Sequence, residues 1–176
     1  KKGNLRWLPL YEAKMFSHYD HRFSTHRNAS RAELNAGTLP RSTVTEHDDA
    51  DMEALPRYWV EEALVTTRGK GLTENGWLFG WRNITNATNS RTFVASALPL
   101  AATGNSILLL RSQSTVDFAL IGVLSSYIHD FVSRQKLSGS NLVYFIVKQL
   151  AAPTPEDLRG PVEGVHDASF SYWLAP

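Results

Sequence analysis

The run Trp77-Leu78-Phe79-Gly80-Trp81-Arg82 constrains the fold more than any other segment. Its rings fall at every second place, on Trp77, Phe79 and Trp81, which is the period of a β-strand. Gly69, Gly71 and Gly76 punctuate turns before it. The run therefore predicts a buried strand whose aromatics belong to the core and do not form a base-stacking platform. Thr92 to Pro99, closed by its proline, and Ile107-Leu108-Leu109-Leu110 are further strand candidates. Residues 5–23, carrying Trp7, Tyr11, Phe16, Tyr19 and Phe23, predict short strands and a turn. Residues 24–56 are polar and predict a long loop, and Arg57-Tyr58-Trp59-Val60 restarts regular structure.

Val116, Leu120, Val123, Leu124, Tyr127, Ile128 and Phe131 recur at helical spacing. They predict one long helix over 116–136, with Ser114 and Asp117 as its capping box and Gly139 just past its end. By composition Leu142 to Val147 reads as a strand, although a short buried helix would show the same run. The segment holding Pro153, Pro155, Pro161 and Pro176 predicts an irregular surface arm. The expected fold class is α+β, a mixed and mainly antiparallel sheet packed with one long helix and irregular loops. Residues 1–155 are expected to form the domain and 156–176 a C-terminal extension.

Composition bounds the function. Hydrophobic residues make up 43% of the chain and charged residues 20%, enough for a real core. The absence of cysteine removes disulfides, thiolate metal sites and cysteine nucleophiles together. No apolar stretch approaches the ~20 residues of a membrane span, and Lys1-Lys2-Gly3 does not open a signal peptide. Sequons at Asn28, Asn83 and Asn86 accordingly read as ordinary loop sequence, and a cytoplasmic location is expected. The missing initial methionine is expected of a piece of a longer chain.

The net charge of +1 hides an uneven distribution. Residues 46–62 hold Glu46, Asp48, Asp49, Asp51, Glu53, Glu61 and Glu62 against Arg57 alone. Residues 63–150 hold Arg68, Lys70, Arg82, Arg91, Arg111, Arg134, Lys136 and Lys148 against Glu74, Asp117 and Asp130. That central surplus of positive charge could form a modest face able to position phosphates, but on charge alone ordinary solvated surface is the better reading.

Catalytic motifs are absent or half-built. There is no glycine-rich cofactor loop, no Pro-Pro-aromatic methylase motif, no Walker loop, no Gly-x-Ser-x-Gly elbow and no His-Glu-x-x-His helix. Glu12-Ala13-Lys14 has the Glu-x-Lys spacing of a nuclease metal site but lacks an upstream aspartate. His18, Asp20, His21 and His26 could converge on a metal only through a tight turn, and a hydrogen-bonding turn or a phosphate contact is the alternative. The polar segments Asn83–Arg91 and Arg134–Asn141 have the Arg, Asn, Ser and Thr content that suits DNA.

Several blocks resemble one family in its own order. They begin with Leu10-Tyr11-Glu12-Ala13-Lys14-Met15 and His18-Tyr19-Asp20-His21-Arg22, followed by Pro56-Arg57-Tyr58-Trp59-Val60. Next come Trp81-Arg82-Asn83-Ile84-Thr85 with Thr88, Arg91, Thr92 and Leu98-Pro99. Leu124-Ser125-Ser126, Phe131, Arg134-Gln135-Lys136, Asn141-Leu142 and Phe145 to Leu150 complete the series. The series resembles the C-terminal target-recognition (specificity) domain of type II-like (type IIG) restriction–modification adenine methyltransferases, the TaqI-like specificity domain. It spans roughly residues 8–155, with a departure at Ala151-Ala152-Pro153, where the family has proline directly after the position of Leu150.

This resemblance implies sequence-specific recognition of double-stranded DNA with no catalytic centre in this chain. It implies no cofactor here; S-adenosylmethionine is expected in the catalytic domain of a bacterial or archaeal parent enzyme, which is also the expected protein partner. It also implies a short helix over 142–150. Arg82, Thr88 and Arg91 match the most characteristic stretch and could either contact DNA or brace the strand–loop–strand unit. A shared framework cannot encode a variable target, so base readers are expected in unmatched stretches. Those are Arg68, Lys70 and Asn75 in 61–76, and Asn105, Arg111 and Gln113 in 100–115. Lys136, Ser138, Ser140 and Asn141 are the phosphate candidates. Two further readings stand beside this one: a nuclease fragment built on Glu12, Lys14 and the histidines, and a structural or partner-binding piece of the same enzyme.

Overall fold

The computed structural model describes residues 5–72, 76–111 and 117–161. Its strands are β1 (Trp7–Tyr11), β2 (Trp59–Glu61), β3 (Trp77–Arg82), β4 (Ala95–Pro99), β5 (Ala102–Thr103) and β6 (Ile107–Leu110). The α-helices are α1 (Arg31–Ala36), α2 (Val44–Asp48), α3 (Glu62–Arg68), α4 (Asp117–Leu124), α5 (Tyr127–Lys136), α6 (Tyr144–Val147) and α7 (Pro155–Arg159). The class is α+β. The strands form two three-stranded sheets where the sequence predicts one, ordered β2-β1-β5 and β4-β3-β6. All pairs are antiparallel except β1 with β5.

The β3 alternation is observed as predicted. Phe79 and Trp81 are buried with Phe93, Ile121, Leu124 and Leu142, and Trp77 packs against the same cluster. On the opposite face Leu78 joins Tyr11, Met15, Phe16, Leu98 and Ile107. β3 thus lies between two apolar layers, which is why its sequence is almost continuously apolar. Trp81 is fully enclosed, and its ring N–H donates to the Leu142 carbonyl at 2.8 Å. Gly80 is required by packing, because a Cβ there would stand 2.8 Å from the Leu108 carbonyl oxygen of β6.

Residues 24–56 are not the uninterrupted long loop that polarity predicts. Two capping boxes organise them: the Ser30 and Thr43 side chains accept the Glu33 and Glu46 N–H groups, and each glutamate returns a bond to the cap. These reciprocal bonds satisfy the orphan donors that start α1 and α2. Arg22 then staples the segment by donating to the His47, Asp49 and Met52 carbonyls.

The single helix predicted over 116–136 is divided. α4 ends at Leu124, and Ser126 starts α5 by accepting the His129 N–H at 3.1 Å. A serine competes for backbone donors and favours such a cap over a helix interior. The new helix turns the predicted face outward, exposing Tyr127 and Ile128 at 80% each and Phe131 at 62%. It buries His129, Asp130 and Ser133 instead. The proposed Ser114 cap lies outside the described residues.

The strand read by composition over 142–147 is α6, the short helix that the resemblance implies, anchored by buried Leu142 and Leu150. The segment after Pro153 is also more regular than predicted: Thr154 caps α7, and Leu158 packs against Ala119. Among the described residues no helix is long and apolar enough to cross a membrane.

Candidate nucleic-acid interface

One buried carboxylate organises the 83–93 segment. Asp130 accepts the Thr92 and Phe93 N–H groups at 2.7 and 2.8 Å through one oxygen and the Arg134 guanidinium at 3.0 Å through the other. Burial works to raise its pKa, but the donors from Phe93, Arg134 and Thr92 outweigh it and hold the group below its ordinary value. Arg134 reaches on to the Ala87 and Ser90 carbonyls at 2.8 and 3.2 Å. Arg91 donates to the Ser125 and Ser126 carbonyls and lies 4.4 Å from the Tyr127 ring centre. The loop, the α4–α5 junction and α5 are thereby tied into one unit.

Arg82 is engaged in the same way on the other side of β3. It donates to the Phe16 carbonyl and lies over the Phe16 and Phe23 rings. Of the two roles open to Arg82 and Arg91, the geometry displays bracing: both guanidinium groups are turned onto the chain's own carbonyls. Thr88 is exposed at the loop tip, where its N–H and hydroxyl both meet the Asn86 side-chain oxygen at 3.0 Å. The central positive surplus is therefore not spread over one face, because Arg82, Arg91 and Arg134 are internally engaged.

The remaining candidates collect at the two ends of β6. Just before it, exposed Asn105 accepts the Asn83 amide at 3.1 Å. The Leu142 N–H donates to the Asn83 carbonyl at 2.7 Å and the Thr85 N–H to the Ser140 carbonyl at 3.0 Å. Ile84 bridges to Asn141. Asn105, Ser140 and Asn141 thus share one polar edge, with Ser138 and Lys136 exposed on the chain leading into it.

Just after β6 stands Arg111, whose guanidinium packs on Gly71, where a Cβ would be 2.8 Å from its central carbon. Gly71 has φ +81°, so the backbone favours glycine, while the Arg111 guanidinium is the flexible end of a side chain that a Cβ could displace. This brings Arg111 beside exposed Arg68 and Lys70. At ~3.4 Å per strand residue, the amide edge and the cationic group stand on the order of 20 Å apart along β6. Among the described residues no carboxylate pairs with Arg68, Lys70, Arg111 or Lys136. Asn75 and Gln113 lie outside the described residues.

Glu12, Lys14 and His26 meet, but they form no three-ligand group with the other histidines among the described residues. Glu12 meets His26 Nε2 at 2.8 Å with one oxygen and Lys14 Nζ at 3.2 Å with the other. Burial opposes ionisation of Glu12, yet the bonds from His26 and Lys14 hold its pKa below the ordinary value. Asp20 instead turns to His47, 3.2 Å away, and caps the Arg22 N–H at 2.8 Å. His18 is held neutral, its pKa pushed down to about 4 by burial and then by the Arg91 charge. Asp20 thus takes part in local hydrogen bonds, whereas neither ring nitrogen of His18 has a hydrogen-bond partner among the described residues. Among the described residues no group of three or more His, Asp or Glu side chains is arranged to hold a metal.

Sequence reasoning missed Asp130 and misplaced Arg134. The Asp130-x-x-x-Arg134 spacing of a helical ion pair was the available signal. It also missed a cavity of about 410 Å³ beneath α3. No protein-family model, no curated protein and no solved structure matches the chain.

Proposed function

We propose that this chain is the DNA target-recognition domain of a larger restriction–modification adenine methyltransferase and carries no catalytic centre of its own. One observation carries the reading. The arginines of the recognisable motif, Arg82 and Arg91, are occupied with backbone carbonyls, whereas Arg68, Lys70 and Arg111 in the unmatched stretches are exposed beside one another. A recognition domain needs this division, with a fixed framework that holds variable readers against the duplex. Guanidinium forks suit guanine or phosphate, and the Asn105 and Asn141 amides suit an adenine edge or the sugar–phosphate backbone.

Double-stranded DNA is the ligand, and the parent's catalytic domain is the protein partner that supplies S-adenosylmethionine chemistry. The exposed apolar residues of α5, Tyr127, Ile128 and Phe131, support a second body docked on that helix. The setting is the cytoplasm of a bacterium or archaeon, where the genomic DNA lies. The test is binding of a labelled duplex as a function of salt. Phosphate contacts give a negative log–log slope of roughly −0.9 per neutralised phosphate. A slope near zero would argue against contact with the DNA backbone.

A further inference from the structure

The helix α3 stands off the sheets it covers. Beneath it lies the cavity of about 410 Å³, walled by Leu64 and Val65 of α3, Leu10 of β1, Val60 of β2, Leu78 of β3 and Leu109 of β6. Its volume falls within the roughly 300–1,000 Å³ of small-molecule sites. Water gains little in such a place, because a buried water needs two or more polar partners and, apart from Thr103 and Arg68, these walls carry aliphatic or glycine side chains.

The mouth has the opposite character. Arg68, the last residue of α3, is the charged group in the lining. Gly69 and Leu72 also line the cavity, and the Arg111 guanidinium sits on Gly71 between them. Lys70 is exposed on the same turn. One cation, Arg68, therefore lines the opening, and Lys70 and Arg111 stand on the adjoining turn; among the described residues none of the three is paired with a carboxylate.

We propose that this cavity binds a small amphiphilic monocarboxylate, with its hydrocarbon body under α3 and its head on the Arg68 guanidinium. Charge complementarity selects the class. The apolar walls reject a sugar or a free phosphate, and the cationic mouth rejects an amine. A planar guanidinium donates two parallel N–H bonds to the oxygens of a carboxylate, with Lys70 and Arg111 adding positive charge nearby. The site does not depend on DNA recognition, although it draws on the same three cations, Arg68, Lys70 and Arg111.

Octanoate titrated into the whole chain by calorimetry tests the inference, with 1-octanol and octyltrimethylammonium as matched probes. Saturable one-to-one binding of octanoate is expected, with octanol roughly tenfold weaker, the low end for a hydrogen bond to a charged group. Octyltrimethylammonium should not bind. Arg68→Gln should reduce octanoate affinity to that of octanol and leave octanol unchanged. Val65→Phe, which fills the cavity, should abolish both. Arg68 is at the surface, so Arg68→Gln remains informative even if Val65→Phe fails to fold. No octanoate binding, equal binding of the ammonium, or affinity unchanged by Arg68→Gln would overturn the proposal. None of these outcomes involves DNA, so failure here leaves the recognition reading standing.

Discussion

Asp130 accepts the backbone N–H of Thr92 at 2.7 Å across 38 positions of sequence. The bond fixes where the 83–93 segment leaves the core, and Arg91 and Arg134 tighten it from either side. A carboxylate buried to 4% exposure is tolerated here because each of its oxygens has a donor. Its neighbours depend on it in return, since Thr92 and Phe93 are themselves buried.

Asp130→Ala should therefore cost about 3–5 kcal/mol, the range for breaking one side of a buried charged network. Urea denaturation followed by circular dichroism measures it. Asp130→Asn keeps an acceptor for Thr92 and should cost less. A loss under about 1 kcal/mol for the alanine variant would mean that the clamp is not structural.

Acid should unfold this protein in two stages. The folded pKa of His18 is about 4, below the 6.5 of an exposed histidine, so the unfolded chain binds more protons between those values. Stability is unaffected by His18 above about pH 6.5 and falls as pH drops toward 4. Asp130, also held below its ordinary value, stabilises the fold above the unfolded carboxylate pKa, and that contribution disappears as pH falls through its folded pKa. Urea midpoints from pH 7.5 to 3.5 should show the first loss, and His18→Gln should reduce it, with His21 and His129, also held low by burial, acting in the same direction. An identical pH profile in that variant would remove His18 from the account.

Gly80→Ala should destabilise the second sheet. The added methyl group would meet the Leu108 carbonyl at 2.8 Å, so β6 must shift. Overpacking of this kind typically costs 1–3 kcal/mol, readable as a lower melting temperature. An unchanged melt would show that β6 is free to move.

Ile128→Ser with Phe131→Ser should separate fold from docking. Both side chains are mostly exposed, so stability should change by no more than about 0.5 kcal/mol each. On the proposed function, the double variant should loosen the attachment of this domain to the proposed catalytic domain, measured by limited proteolysis of the connection. Marked unfolding of the isolated double variant would show instead that this face belongs to the core.

The parts legible in the sequence were those governed by period and burial together. β3 could be read because its aromatics alternate and both of its faces are covered. α5 misled because Tyr127, Ile128 and Phe131 continue the period of α4 past the break at Ser125-Ser126. Periodicity shows that a face is apolar without showing which way it points. The small helices of 24–56 were signalled by Ser30-x-x-Glu33 and Thr43-x-x-Glu46 but masked by their polar composition. Arg82 and Arg91 could be placed as framework or reader only by their partners, which lie 66 and 34 positions away. The meeting of Arg111 with Gly71 likewise depends on tertiary contact and has no local signature.

The most direct test of the central claim is selection from a pool of randomised duplexes by the protein at moderate salt, read by sequencing, with Arg68→Ala and Arg111→Ala run in parallel. Wild-type protein should enrich one motif, and each variant should lose about 1–3 kcal/mol of discrimination at a position of that motif. Arg91→Ala should change stability while leaving the preferred bases the same. A wild-type pool that stays random, or a motif kept intact by both Arg68→Ala and Arg111→Ala, would contradict the account.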